Sequence, residues 1–413
     1  MALQDKTVVV VGGGIAGTSA ALGLAEVGAQ VVVIERDDFV GGHAARLACK
    51  ATDDCQRCNG CLVRPRLSAL LNHPRVSILR RAEVTGMERD QAGLRLTATQ
   101  RPAYIDTEAC TGCGICIEAC PAAGEGAFKR PGFAGDPVRL AIDPAHCLYF
   151  EDQRSTLCRD LCPEEAIGFD GSEQHHELAA DAVVLATGFM PYEAARTPRY
   201  GYGQLPGVVT AMDLEAGLRA GDNPLAAVPE DRRPKVAFIQ CVGSRRRQEG
   251  NNYCSRVCCG YALRLGRMLA HKYRAEVSVF YMDLQSFGHD FDRFLDAARQ
   301  ELRLVRAIPS DLDRGRQLAV RASYIDDSQG IAVAEEFDLV ALSVGMAPRP
   351  TNPVIAELAG LALTAHGFLE PGPKTGAGVF TAGAAGGPMN VAESVAQGER
   401  AADAVARYLE ETL

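Results

Sequence analysis

The sequence predicts an α/β fold of two strand–turn–helix units, interrupted by a smaller α+β module. Three observations predict it. The apolar, β-branched runs Thr7–Val11 and Lys235–Gln240 each lead through a turn and a helical stretch to another strand. A glycine fingerprint, Gly12-Gly13-Gly14-Ile15-Ala16-Gly17, fills the first of those turns. Between the two units lies a regularly spaced cysteine run, Cys110 to Cys120. The expected architecture is α/β, with two dinucleotide-binding-type domains and an inserted α+β domain.

At 413 residues, two or three domains are expected. A formal charge of −9 argues against a general nucleic-acid binder, which needs clustered Lys and Arg facing phosphates. The run Arg245-Arg246-Arg247 is too short to reverse that, and reads either as a solvated loop or as a docking patch for an acidic partner. No apolar stretch reaches the length of a membrane span, and Thr7–Val11 follows the start without a basic leader, so a cytoplasmic location is expected. In a reducing compartment, 15 cysteines point to metal or redox work rather than to disulfides.

In the first unit each glycine has its own task. Gly12 permits the tight turn, Gly14 lets backbone approach a pyrophosphate, and Gly17 lets the helix lie close to the sheet; Ile15 and Ala16 open that helix, whose first amides favour an anion. The next strand, Gln30–Ile34, ends in Glu35 at the spacing of the acid that binds a ribose, with Arg36 beside it. Gly41 and Gly42 offer a second close backbone approach, which suits FAD better than NAD. Two later segments, Ala182–Leu185 running into Ala186-Thr187-Gly188 and Gly378–Ala382 running into Gly383, resemble those that close the FAD domain in flavin disulfide-reductase-like proteins. The helix Val391–Leu409 would bring its N-terminal amides to the flavin ring.

Cys110, Cys113, Cys116 and Cys120-Pro121 form the C-x2-C-x2-C-x3-C-P run of ferredoxin-like domains, in which the fourth cysteine serves the other cluster. Cys147, Cys158 and Cys162-Pro163 are placed to repeat it, with Ser155 where a cysteine would fall. Cys110, Cys113, Cys116 and Cys162 then hold one complete 4Fe-4S cluster. For Cys120, Cys147 and Cys158 the alternatives are a three-iron cluster, a 4Fe-4S cluster with another fourth ligand, or no cluster.

The second unit has Cys241-Val242-Gly243-Ser244 where a nicotinamide-binding domain has its glycine turn, followed by Cys254, Cys258 and Cys259. Four cysteines around one strand-to-helix turn read as a cluster site. Cys55, Cys58 and Cys61, with Cys49 upstream, fit a further cluster, a redox dithiol or plain thiols. His43, His146, His175 and His176 have no spacing that singles them out.

Together these motifs resemble the A subunits of heterodisulfide reductases and their relatives, which include the FAD subunits of the quinone-interacting membrane-bound oxidoreductase and of complexes serving benzoyl-CoA reduction. The resemblance rests on Gly12 to Gly17, Cys147 to Phe150, Tyr200 to Gly203, Cys241 to Arg245, Tyr253 to Cys259, Tyr281 to Leu284, and Ser394 to Gln397. It implies a 4Fe-4S cluster on Cys241, Cys254, Cys258 and Cys259, and disulfide reduction by a partner subunit. The family's additional N-terminal cluster region and longer C-terminal ferredoxin portion have no counterpart here, and a cysteine of the family stands where this chain has Ser155.

The expected function is that of an FAD- and 4Fe-4S-containing electron-transfer subunit of a multi-subunit oxidoreductase. Its cofactors are FAD and at least two clusters, and no side chain serves as general acid or nucleophile. Partners are other oxidoreductase subunits, similar to the B and C subunits of heterodisulfide reductase, with membrane contact only through them and a homodimer as the self-association. The alternative is a self-contained NAD(P)H-dependent flavin disulfide or sulfide reductase. Expected boundaries give residues 1–100, 173–230 and 331–413 to the FAD-binding domain, 101–172 to the ferredoxin-like insertion and 231–330 to the second Rossmann-like domain.

Overall fold

The computed structural model describes residues 3–90, 93–247, 251–285, 291–327, 329–370 and 378–412. Its first sheet has five parallel strands in the order Val379–Thr381, Ala182–Leu185, Thr7–Val11, Gln30–Glu35, Val76–Arg80. Parallel sheets are covered on both faces, so their strands read as unbroken apolar runs rather than alternating ones. Val8, Val9 and Val10 are accordingly fully buried, as are Ala182 to Leu185. On one face the helix Ile15–Glu26 packs along the C-terminal helix Val391–Glu411. Small residues set that approach: a Cβ on Gly398 would stand 2.2 Å from the Ala16 carbonyl oxygen.

The strands Gly93–Gln100 and Gln174–Ala180 pair antiparallel, with Gln100 opposite Gln174, beside Ala82–Asp90. The cysteine-rich insertion therefore occupies the place of a hairpin turn. It is closed by the bridge between Ile105 and Ile167 and holds the short pair Phe128–Lys129 and Ala141–Ile142. Its own core gathers Ile105, Leu140, Ile142, Ile167 and Phe169 around Cys116, Cys147 and Cys158.

The second sheet is also five-stranded and parallel, in the order Val208–Thr210, Leu339–Val344, Lys235–Val242, Glu276–Phe280, Arg303–Val305. Two of these strands, Val208–Thr210 and Leu339–Val344, lie outside the range expected for this unit. Both are short apolar runs without a fingerprint, and only hydrogen bonding to neighbours assigns them to a sheet. The antiparallel set Asp311–Arg314, Val320–Asp326 and Ile331–Phe337 likewise crosses the expected boundary at residue 330. The helix of this unit begins at Cys258, and the strand expected to stop at Gln240 runs to Val242. Both cysteine-bearing ends are thus parts of regular elements.

Candidate functional site

A cleft of about 1580 Å³ runs between the two parallel sheets. That exceeds the roughly 300–1,000 Å³ of an ordinary small-molecule site. One wall is the first glycine turn. Gly12 has φ +106° and faces the Ala186 carbonyl, and a Cβ on Gly17 would stand 1.9 Å from the Gly12 carbonyl oxygen. In front of Gly14 and Gly188, by contrast, no atom lies within 4 Å of where a Cβ would be. The helix after Gly14 has no side-chain cap, so its first amides are left to whatever occupies the cleft.

Gly12, Gly14, Ile15, Ala16, Glu35, Arg36, Gly41, Gly42, Ala186, Thr187 and Gly188 all line this cleft. Gly17 and Gly383 do not. Gly17 packs on the turn, and Gly383 faces Ala16, whose Cβ would be 2.3 Å from its own. Glu35 is buried and accepts hydrogen bonds from the Gly13 amide (2.8 Å) and the Asp37 amide (2.9 Å). Burial raises its pKa above the ordinary carboxylate value. His43 lines the same cleft, with Nε2 3.3 Å from the Phe189 carbonyl oxygen, and burial pushes its pKa down to about 4.

The opposite wall carries Cys258. Cys258 and Cys259 open the helix Cys258–Lys272, facing the strand end where Cys241 sits with φ +58°, at a register shift in the sheet. Burial pushes the Cys241 thiol up to about 11, with the charges of Cys259 and Cys254 adding to it. Burial pushes the Cys258 thiol up, and the charges of Cys241, Cys259 and Cys254 add to it. The loop is fastened by Ser244 Oγ to Ser255 Oγ (2.6 Å), by the Met346 amide donating to Ser255 Oγ (2.8 Å) and by the Arg245–Asp283 ion pair. The turn offers no phosphate cradle, because a Cβ on Gly243 would fall 2.0 Å from the Tyr192 ring.

In the insertion, Cys110, Cys113, Cys116 and Cys162 line one small cavity together with Gly112 and Gly114, both at positive φ. Burial and then the neighbouring charges of Cys120 and Cys147 push the Cys158 thiol up to about 11. Cys55 and Cys58 line the large cleft, whereas Cys49 and Cys61 are exposed and do not. All 15 cysteines are free thiols. Among the described residues no three His, Cys, Asp or Glu side chains already form a cage for a single ion.

Residues 7–99 match the family described as FAD dependent oxidoreductase, and residues 103–123 match the 4Fe-4S binding domain family. The iron-sulfur A subunit of the CoB–CoM heterodisulfide reductase of Methanocaldococcus jannaschii is 34% identical over 97% of this chain. The chain is thus similar to heterodisulfide reductase A subunits along nearly its whole length. It spans 64% of that relative's length, and 53% of the A subunit of the ferredoxin:CoB-CoM heterodisulfide reductase of Methanosarcina mazei, to which it is 31% identical. Among solved structures, T. acidophilum thioredoxin reductase superposes with a TM-score of 0.54 at 15% identity, covering 99% of this chain and all of that one. The bacillithiol disulfide reductase of Bacillus cereus gives 0.53 at 15% identity, covering 99% of each. The fold is therefore that of the flavin disulfide reductases, and FAD and 4Fe-4S are the cofactors its family matches carry.

Several site residues carry no sequence signal. Arg256 donates to Glu393 (2.7 Å) and to the Pro388 carbonyl (3.1 Å), tying the cysteine loop to the C-terminal helix. Lys50 and Glu215 form a buried pair under the Tyr261 ring, and both amide atoms of the buried Gln56 are unpartnered. The cap on the C-terminal helix does have a local signal, Asn390-x-x-Glu393. Among the described residues no helix is long and apolar enough to cross a membrane.

Proposed function

We propose that this chain is the electron-transfer subunit of a multi-subunit oxidoreductase, holding FAD in the large cleft and passing electrons through cysteine-bound clusters to partner subunits. The observation that carries this reading is that Cys258 lines the same cleft as the glycine turn Gly12–Gly14. FAD supplies two-electron exchange and 4Fe-4S clusters supply one-electron relay.

The chain's own residues hold and shield these groups. Gly14 and Gly188 leave room for the pyrophosphate, and Glu35 is placed for the ribose. Cys241, Cys254, Cys258 and Cys259 hold one cluster and Cys110, Cys113, Cys116 and Cys162 another. Cys55 and Cys58 face the cleft as thiols or as ligands of a further cluster. The domains follow the sheets, with residues 208–210 and 339–344 assigned to the cluster-bearing unit rather than to the FAD-binding one. Partners are the other subunits of such an oxidoreductase, in the cytoplasm. Tyr192 against Gly243 argues against a second dinucleotide in this unit, and so against a self-contained NAD(P)H-dependent reductase.

The test is Cys258→Ala in the full chain. Iron is expected to fall by one cluster's worth and FAD to stay bound, while electron transfer from reduced flavin to an external acceptor slows sharply. Unchanged iron and kinetics would show these cysteines to be core residues. A flavin-free protein that cannot be reconstituted with FAD would sink the reading as a whole.

A further inference from the structure

The insertion is an internal repeat folded about itself. Asp106 accepts from the Glu108 amide through its side chain (2.8 Å), and its own amide donates to the Ala166 carbonyl (2.8 Å). Asp143 does the same with the Ala145 amide (3.2 Å) and the Ala127 carbonyl (2.9 Å). Four residues after each aspartate stands a cysteine, Cys110 or Cys147. Each half then builds a short helix with a cysteine as its second residue, Ile115–Ala119 with Cys116 and Leu157–Asp160 with Cys158, and the two helices pack together. Each half ends in Cys-Pro, at Cys120 and Cys162.

This correspondence fixes the remaining position. Cys113 stands two residues before the first helix, and Ser155 stands two residues before the second. The halves differ by an extra turn of helix, Leu148–Asp152, inserted between Cys147 and Ser155. It sends Tyr149 onto Phe169 at 3.9 Å and leaves the counterpart of Cys113 in place. His146, the other donor beside Cys147, is exposed and turned to the Asp143 carboxylate (3.3 Å). The fourth cysteines cross over: Cys162 lines the cavity of Cys110, Cys113 and Cys116, and Cys120 neighbours Cys158.

We infer that Cys120, Cys147 and Cys158 bind a three-iron cluster, because the folded repeat puts Ser155 at the corner that Cys113 ligates in the other half. A cubane iron without a thiolate is held only by the cluster's own sulfides, and it is the one that leaves. The two halves of one insertion thus carry clusters of different iron content. The inference rests on the proposed reading of Cys110, Cys113, Cys116 and Cys162 as a complete cluster site.

The test uses the full chain reconstituted with iron and sulfide without oxygen, read by iron per chain and by the EPR signal of an oxidised three-iron cluster. The native protein is expected to show that signal. Ser155→Cys is expected to abolish it and add one iron per chain, while Ser155→Ala leaves signal and iron unchanged. No three-iron signal in the native protein overturns the inference. Cys147→Ala then separates the causes, since lost iron means that a different fourth ligand completes the cluster, and unchanged iron means that the site binds none. Failure of the underlying reading is distinct: Cys113→Ala would then leave the iron content unchanged.

Discussion

At Gly17 a single hydrogen decides whether the first turn can form. The nearest obstacle to a Cβ is backbone, the Gly12 carbonyl oxygen at 1.9 Å, so no side chain can move aside. Gly17→Ala should lower stability by about 1–3 kcal/mol, as overpacking does, and reduce FAD retention, both visible in thermal melts and flavin content. His43 offers a pH test. Its folded pKa is lowered to about 4 from an ordinary 6.5 by burial, so its contribution is fully present above 6.5 and is lost as pH falls toward 4. The melting temperature of the native protein should therefore fall more steeply over that range than that of His43→Gln. Parallel slopes would refute the assignment. Neither the burial of His43 nor its Phe189 contact follows from spacing, which is why the sequence did not single it out.

Among the elements, the C-terminal helix Val391–Glu411 bears on both walls of the cleft. Its reciprocal cap has Asn390 Oδ1 accepting from the Glu393 amide and Glu393 Oε2 accepting from the Asn390 amide, both at 2.9 Å. Glu393 also receives Arg256 from the cysteine loop. Asn390→Ala should cost about 1 kcal/mol, the usual worth of such a cap, measured as a shift of the urea midpoint. Because Asn390 to Ser394 line the cleft, the same variant should retain less FAD. An unshifted midpoint would mean that the cap is replaced by solvent.

Across the whole molecule, the insertion is locked to the first sheet by Asp136. This fully buried carboxylate pairs with Arg80 (3.0 Å) and accepts from the Val40 amide (3.4 Å), while Arg219 donates to the Gly132 carbonyl (2.8 Å). Asp136→Asn leaves Arg80, itself largely buried, without its counter-charge, and breaking such a pair costs roughly 3–5 kcal/mol. The expected result is an early unfolding transition in urea with iron loss preceding flavin loss. Simultaneous release of both at the native midpoint would show that the lock is not needed.

The glycine fingerprint, the acid at Glu35 and the cysteine spacings were legible because each is local: a turn, a strand end and a chain wrapping a cluster are set by residues a few positions apart. Those motifs by themselves determined the fold class and the cofactor classes. Sheet membership was not local. Val208–Thr210 and Leu339–Val344 are apolar runs that fit either sheet, and only their hydrogen bonding to each other and to Lys235–Val242 decided it. The tertiary structure alone also brought Cys258 to the cleft of Gly14 and set Tyr192 over Gly243. Each of these is a contact between segments far apart in the chain, and spacing along the chain holds no information about such contacts.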